Sequence, residues 1–353
     1  VASPRNADAM SGNIALDANG SRYAGINRLT LSASWDSPLG RGDSLSFSHL
    51  RSDTGGLEFT LLGYTTPVGF DGWKVGVNSS RVDYSLNSND FPLLLNGHSE
   101  SVGIFALYPA VRSRNLNVFS LLGFDTKEFE DRQSLVDLKN QKRVDTWRAG
   151  LSGDSRDPVL GGGLNFFNLS YEKSNVIYPE GRPFGLDDEP DAAKAQYSVG
   201  RLQTVVPSRL MLWAYFRGQY AYDNLDSSDQ CSLGGATGVR AFSQGESAGD
   251  TCTLFTMELR HLTDLPFFEN GGRELSFNVF YDEGRTRLRK DASQQLSGFN
   301  NLDKLAGYGL GFSWDRPSEF LVNLSLAWEL EGFRRSDSKR QSPRIFASFV
   351  HYF

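Results

Sequence analysis

The clearest order in this chain is an alternation of apolar and polar residues with a period of two. Leu29, Leu31, Ala33 and Trp35 fall on one face of a short run, and Arg28, Thr30, Ser32 and Ser34 on the other. Further along, Val322, Leu324, Leu326, Trp328 and Leu330 oppose Asn323, Ser325, Ala327 and Glu329. Leu275, Phe277, Val279 and Tyr281 oppose Ser276, Asn278, Phe280 and Asp282 in the same way. Successive side chains of a strand point to opposite faces, so these runs predict strands with one apolar face. Lipid outside and water inside a barrel would produce the pattern. A soluble sandwich with its apolar faces packed inward would produce it too.

Punctuation separates the two readings. Pro38, Pro67, Pro109, Pro158, Pro207, Pro266 and Pro317 fall in short polar breaks. Proline has no amide to give to a sheet ladder, so each of these positions predicts a hairpin turn. Each interval between them holds two strands and one further connection of variable length. The predicted strands span 9–17, 25–37, 43–53, 56–66, 72–86, 97–108, 115–130, 141–155, 161–175, 195–206, 209–223, 251–263, 273–288, 302–315, 319–331 and 343–353. Short turns at one end, longer loops at the other and an even strand number predict an all-β fold: a sixteen-stranded antiparallel transmembrane β-barrel over residues 9–353. Residues 1–8 read as a linker stub. The last strand agrees, because Ile345, Ala347, Phe349 and Phe353 share a face. A strand closed by an aromatic residue resembles the C-terminal barrel signal of bacterial outer-membrane proteins, with Phe349 and Phe353 as its apolar positions and His351 as a departure.

Composition narrows the function classes. The chain has 353 residues and a net charge of −6, with acidic and basic residues interspersed. No basic block marks a nucleic-acid partner. No apolar run approaches the ~20 residues of a membrane helix, and the first ten residues carry no signal-peptide core. The two cysteines, Cys231 and Cys252, bracket a Gly-rich polar stretch whose sole arginine is Arg240. Two cysteines closing one long loop predict a disulfide formed in an oxidising compartment. The histidines and cysteines have no metal-ligand spacing, and there is no phosphate-binding loop, so neither metal nor cofactor is expected. Gly245–Gly249 matches the G-x-S-x-G of serine hydrolases, but without the strand–turn–helix setting that motif requires, and no enzyme is expected. Arg41-Gly42-Asp43 reads as a polar hairpin rather than an adhesion motif.

Taken in order, several segments resemble one family, the barrel domain of TpsB-type transporters of two-partner secretion (the ShlB/FhaC/HecB type). They are LDANGSRYAGINRL at 16–29, SPLGRGDSLSFS at 37–48, GYTTPVGFDGWKVGV at 63–77, YPAVRSRNLN at 108–117 and LRHLTD at 259–264. Most specific are Val239-Arg240-Ala241-Phe242, where Ala241 replaces the family's usual glycine, and Phe280-x-Asp282-x-Gly284. The resemblance implies a sixteen-stranded barrel whose long sixth extracellular loop folds into the lumen. It implies that Arg240 at the loop tip pairs with Asp282 on the thirteenth strand. Glu258, on the polar face by alternation, is the other available carboxylate. The glycines Gly234, Gly235 and Gly238 are expected to let the loop backbone turn, and Phe242 to pack against the wall. Family members also carry an amino-terminal helix and two POTRA domains that bind the secreted partner; this chain is expected to hold the barrel without them.

The implied function is an outer-membrane pore that exports a large extended exoprotein. The implied partners are a β-helical TpsA-type exoprotein, outer-membrane lipid and, during biogenesis, the barrel-assembly machinery. The expected location is the outer membrane of a Gram-negative bacterium, with the amino terminus periplasmic. A barrel-assembly insertase, a small-solute porin and a soluble β-protein remain as alternatives.

Overall fold

The computed structural model describes residues 9–86, 95–133, 138–183, 186–263, 274–293, 300–332 and 341–353. Sixteen strands follow one another: β1 (Met10–Asp17), β2 (Arg28–Asp36), β3 (Ser44–Ser52), β4 (Leu57–Val68), β5 (Trp73–Ser85), β6 (Leu95–Arg112), β7 (Leu116–Gln133) and β8 (Leu138–Asp157). The second half holds β9 (Gly163–Ile177), β10 (Asp191–Val206), β11 (Leu210–Ala221), β12 (Thr251–Thr263), β13 (Leu275–Arg287), β14 (Leu302–Arg316), β15 (Phe320–Glu331) and β16 (Arg344–Tyr352). Every strand pairs antiparallel with its sequence neighbours, and β1 pairs with β16 to close a barrel. Closure leaves no unpaired sheet edge. The closing ladder runs from Asn13↔Tyr352 to Asp17↔Ser348. Gly12 and Phe353 extend it by exchanging backbone hydrogen bonds of 2.8 and 3.0 Å.

The period-two alternation sorts the wall into two faces. Leu29, Leu31 and Trp35 on β2, Ile104 on β6, Trp147 on β8, Val199 on β10, Phe277 and Val279 on β13 and Ile345 and Phe349 on β16 are all exposed. The intervening positions are mostly Ser, Thr, Asn, Gly and charged residues, with a few aromatics such as Phe280 and Phe346 that are buried. Ser32 and Ser48 meet across β2 and β3 at 3.2 Å, and Thr146 and Ser174 across β8 and β9 at 3.1 Å. A face of exposed Leu, Val and aromatics on a closed barrel is the reverse of a soluble core.

The turns follow the proline prediction at some sites and depart from it at others. Pro207-Ser208 and Pro317-Ser318 make two-residue turns closed by Arg209 N–H to Val206 O and Glu319 N–H to Arg316 O, each 3.0 Å. Proline supplies the first central position, and Ser208 and Ser318 take positive φ at the second, which a type II turn requires. Pro158 leads into a single 3₁₀ turn at Val159–Gly161. Pro67 and Pro109 are not in turns. Pro67 pairs with Lys74 near the end of β4, and Pro109 pairs with Phe119 in β6 beside a register shift before Val111. A strand tolerates proline where a bulge or the frayed end of a hairpin leaves its missing amide unused. The Pro266 turn and the 1–8 stub lie outside the described residues.

The loop end is also less uniform than predicted. The connection at 53–56 between β3 and β4 is as short as the turns opposite, whereas the sixth connection, 222–250, is long. Arg41-Gly42-Asp43 closes the β2–β3 turn. Asp43 is buried and accepts hydrogen bonds from the amides of Leu39 and Arg41 and from the Tyr64 hydroxyl at 3.1 Å.

Candidate functional site

The sixth connection is bonded back onto the barrel's own strands. Its centre is Arg240. Nε and Nη2 donate to Oδ2 and Oδ1 of Asp282 on β13, both at 2.8 Å, and the Arg240 amide donates to Oδ2 at 3.2 Å. The third nitrogen, Nη1, donates to Oε1 of Glu258 on β12 at 2.7 Å. Beneath the guanidinium lies the Phe280 ring, its centroid 3.4 Å from Cζ. The planar fork therefore uses its geometry fully: a bidentate carboxylate along one edge, a second carboxylate at the other and an aromatic face below.

Strand register explains the convergence. Asp282 pairs with Thr256, and Phe280 with Glu258, across β12 and β13. Period two puts Phe280 and Asp282 on one face of β13 and Thr256 and Glu258 beside them. Asp282 is fully buried, and it also accepts a hydrogen bond from the Thr256 hydroxyl at 3.0 Å. Glu258 in turn holds Arg260, whose Nε is 2.8 Å from Oε2. Burial pulls the Arg240 guanidinium towards a lower pKa, but the hydrogen bonds and charge of Asp282 and then Glu258 outweigh it and raise the pKa above its ordinary value. Arg240 thus stays charged, and Thr256 and Arg260 join it as site residues that sequence reasoning missed.

Packing around the ion cluster fixes the loop tip. Val239, Ala241 and Phe242 are buried with Leu233 of the loop and with Leu254, Phe280, Leu305 and Ala327 of the wall. Glycines on the wall make the room. A Cβ at Gly307 on β14 would stand 2.5 Å from the Cβ of Ala241, and one at Gly284 on β13 would stand 3.0–3.1 Å from Leu233 and Val239. Gly284 is therefore a floor for the loop. The three loop glycines do not act alike. Gly235 has positive φ, as expected of a turn glycine. Gly234 and Gly238 do not, and are required by close approach instead: a Cβ at Gly238 would strike the Leu233 carbonyl, and one at Gly234 that of Ser243.

Cys231 and Cys252 form a disulfide with their Cα atoms 6.4 Å apart. Cys252 already belongs to β12, so the bridge ties the loop's descending limb to the wall. A cross-link of this span contributes roughly 3 kcal/mol in the chain-entropy model. Replacing both cysteines by serine is therefore expected to speed protease cleavage within 232–251 under oxidising conditions; equal cleavage of both proteins would refute the tie. Ser247, the central residue of the G-x-S-x-G match, sits at positive φ in the loop and donates to Asp303 at 2.9 Å. It lies in a loop of an all-β barrel, outside any strand–turn–helix. At the chain end, Phe349 and Phe353 stand exposed on the apolar face, with His351 on that face between them.

These features define a class: a sixteen-stranded barrel whose longest described loop is ion-paired to its own thirteenth strand. The same fold occurs in CdiB from Escherichia coli, at a TM-score of 0.77 and 16% identity over 99% of this chain and 64% of that one. It also occurs in BamA from Haemophilus ducreyi lacking POTRA domains 1–3, at a TM-score of 0.67 and 13% identity over 98% of this chain and 71% of that one. The model of the haemolysin secretion/activation protein family ShlB/FhaC/HecB matches residues 1–314, and the chain belongs to that family. The heme/hemopexin transporter protein HuxB of Haemophilus influenzae is 26% identical over 95% of this chain and 59% of its own length. The hemolysin transporter protein HpmB of Proteus mirabilis is 27% identical over 67% of this chain and 44% of its own. The chain thus spans about three-fifths of the length of the first of these relatives.

Proposed function

We propose that residues 9–353 form the membrane-embedded barrel of an outer-membrane translocator that exports a large extended exoprotein, with the sixth loop folded into the lumen and residues 1–8 a linker entering from the periplasm. The observation that carries this reading is the Arg240–Asp282–Glu258 cluster. A charged cluster this buried must be enclosed, and strand alternation assigns Asp282 and Glu258 to the face opposite the exposed Leu and Val. Family membership and the transport named for HuxB and HpmB support export as the task.

The membrane assignment rests on the exposed face. Tyr171 of β9 clusters with Tyr220 and Tyr222 at the loop end of β11, with ring centroids 5.2–6.1 Å apart. Trp73 and Tyr108 pair at 4.7 Å near the turn end. Aromatic rings at both rims with aliphatic side chains between them match the belts of a bilayer-spanning barrel. Phe353 would present the terminal signal to the barrel-assembly machinery during biogenesis. An arginine at the lipid midplane costs about 2–4 kcal/mol. Leu326→Arg is therefore expected to impair insertion, while Ser325→Arg, on the other face of β15, inserts almost normally; equal heat-modifiable folding of the two would overturn the facing.

Export itself is tested by expressing the full-length protein with its secreted partner and measuring the exoprotein outside the cell. Release that depends on this protein supports translocation. Failure to export, together with uptake of small solutes or loss of other barrels on deletion, would place the protein among porins or insertases instead.

A further inference from the structure

The loop has a second set of attachments, and the tip residues take no part in it. Lys142, near the loop end of β8, donates to Oδ1 and Oδ2 of Asp226 at 2.7 and 2.8 Å and to the Ser227 hydroxyl at 3.4 Å. Lys194, near the loop end of β10, donates to Oδ1 and the carbonyl oxygen of Asp229 at 2.7 and 3.0 Å and faces Oε2 of Glu172 at 3.5 Å. An ammonium has three protons to give, and each lysine has three oxygens around it. Both side chains are largely buried, at 13% and 7% exposure, and Asp226 and Asp229 are buried with them. A buried ammonium left without its partner is strongly unfavourable, so each lysine specifies where this limb of the loop must lie.

The rest of the limb is fastened in the same place. The Asn224 side chain donates to the carbonyls of Asp187 and Asp291, which belong to the fifth and seventh loops. Leu225 is buried against Ala192 of β10 and Ala221 of β11. Arg289 donates to the Leu225 carbonyl at 2.9 Å and pairs with Asp187 at 2.6 Å. In the closed strand order β8 lies five strands from β13. The loop is therefore anchored at its tip on β12 and β13 and along residues 223–230 on β8 and β10, with Arg289 and Asp291 beyond β13 holding the limb as well. Between the anchors stand the Cys231–Cys252 disulfide and Gly235 at φ +115°.

We propose that Lys142 and Lys194 are positioning residues of a second fastening, which holds residues 223–230 across the loop-side rim over β8–β11 while the tip can leave Asp282. This rests on the reading that the loop occupies the lumen. The tip then moves relative to a limb that stays fixed to the rim.

The test uses the full-length protein in planar bilayers of Escherichia coli polar lipid, with potassium chloride as the current carrier, and proteinase K on the folded protein. Lys142→Met and Lys194→Met keep the stem and remove the charge. Each is expected to raise cleavage within 223–230 at least tenfold and to make the resting current noisier, with the barrel still folded. Asp226→Lys combined with Lys142→Asp is expected to restore both readings towards those of the unaltered protein, which a merely destabilised barrel would not do. Unchanged cleavage and current in both lysine variants, or no restoration by the exchanged pair, overturns the second fastening. Arg240→Ala, measured alongside, separates the two readings: if it leaves the current unchanged while the lysine variants alter cleavage, the lumen placement fails and the fastening is a surface contact only.

Discussion

Replacing Arg240 by alanine should leave the barrel folded and inserted but sharply reduce export. The substitution removes three hydrogen bonds from the side chain and leaves Asp282, fully buried, with only the Thr256 hydroxyl and the residue-240 amide beside it. Breaking a buried pair by deleting one partner costs about 3–5 kcal/mol, a hundredfold to a few thousandfold in the population of the locked tip. A freed tip would no longer be held against β12 and β13. Arg240→Lys should rescue poorly, because a single ammonium cannot hold both oxygens of Asp282 and reach Glu258 while lying flat on Phe280. Export would be read as secreted partner in the medium, and folding as resistance to unfolding in detergent at room temperature. Normal export by Arg240→Ala would show that the cluster holds shape and nothing more.

The second large effect is steric and leaves every charge in place. Gly307→Ala puts a methyl group where the Ala241 side chain already stands, with the Trp328 carbonyl 3.0 Å away on the other side. Neither neighbour can yield, since one is a strand backbone and the other is pinned by Arg240. Overpacking of this kind costs about 1–3 kcal/mol, so the tip should lift from the wall and export should fall roughly tenfold or more. Gly123→Ala is the matched control. Its new Cβ would meet nothing nearer than 3.6 Å, and export should be unchanged. Equal behaviour of the two variants would remove the packing half of the account.

Much of this architecture was legible because a barrel wall writes period two into the chain. Each of the sixteen predicted spans overlaps one observed strand. Strands β6 to β8 run further than predicted, to Leu95–Arg112, Leu116–Gln133 and Leu138–Asp157. Their loop ends carry charge even on the outer face, as in Arg143 with Asp145 on β8 and Arg132 with Glu130 on β7. Once the ladder passes beyond the apolar band, nothing in hydropathy marks it as strand. Pro67 and Pro109 misled for the opposite reason: a proline signals a missing amide, and the hairpin end or a bulge supplies a place where that amide is not wanted.

The site was legible only in part. Arg240 and Asp282 came from motif resemblance and Glu258 from alternation. Thr256 is one polar position among many on its face, and only the register with Asp282 singles it out. Lys142 and Lys194 lie 84 and 35 positions from their carboxylates, a pairing that exists only once β8 to β11 stand side by side. Gly307 looks like any strand glycine until the tip is seen resting on it.

Whether Arg240 and Asp282 act as one contact is read from a double-mutant cycle on exported protein, using Arg240→Ala, Asp282→Ala and both together in the full-length translocator. Because Arg240→Ala already removes every side-chain bond that Asp282→Ala would break with it, the double variant should export no less than Arg240→Ala alone, with a coupling close to the whole effect of Asp282→Ala. Losses that simply add would mean the two residues serve export separately, and the loop is not locked to the barrel through this pair.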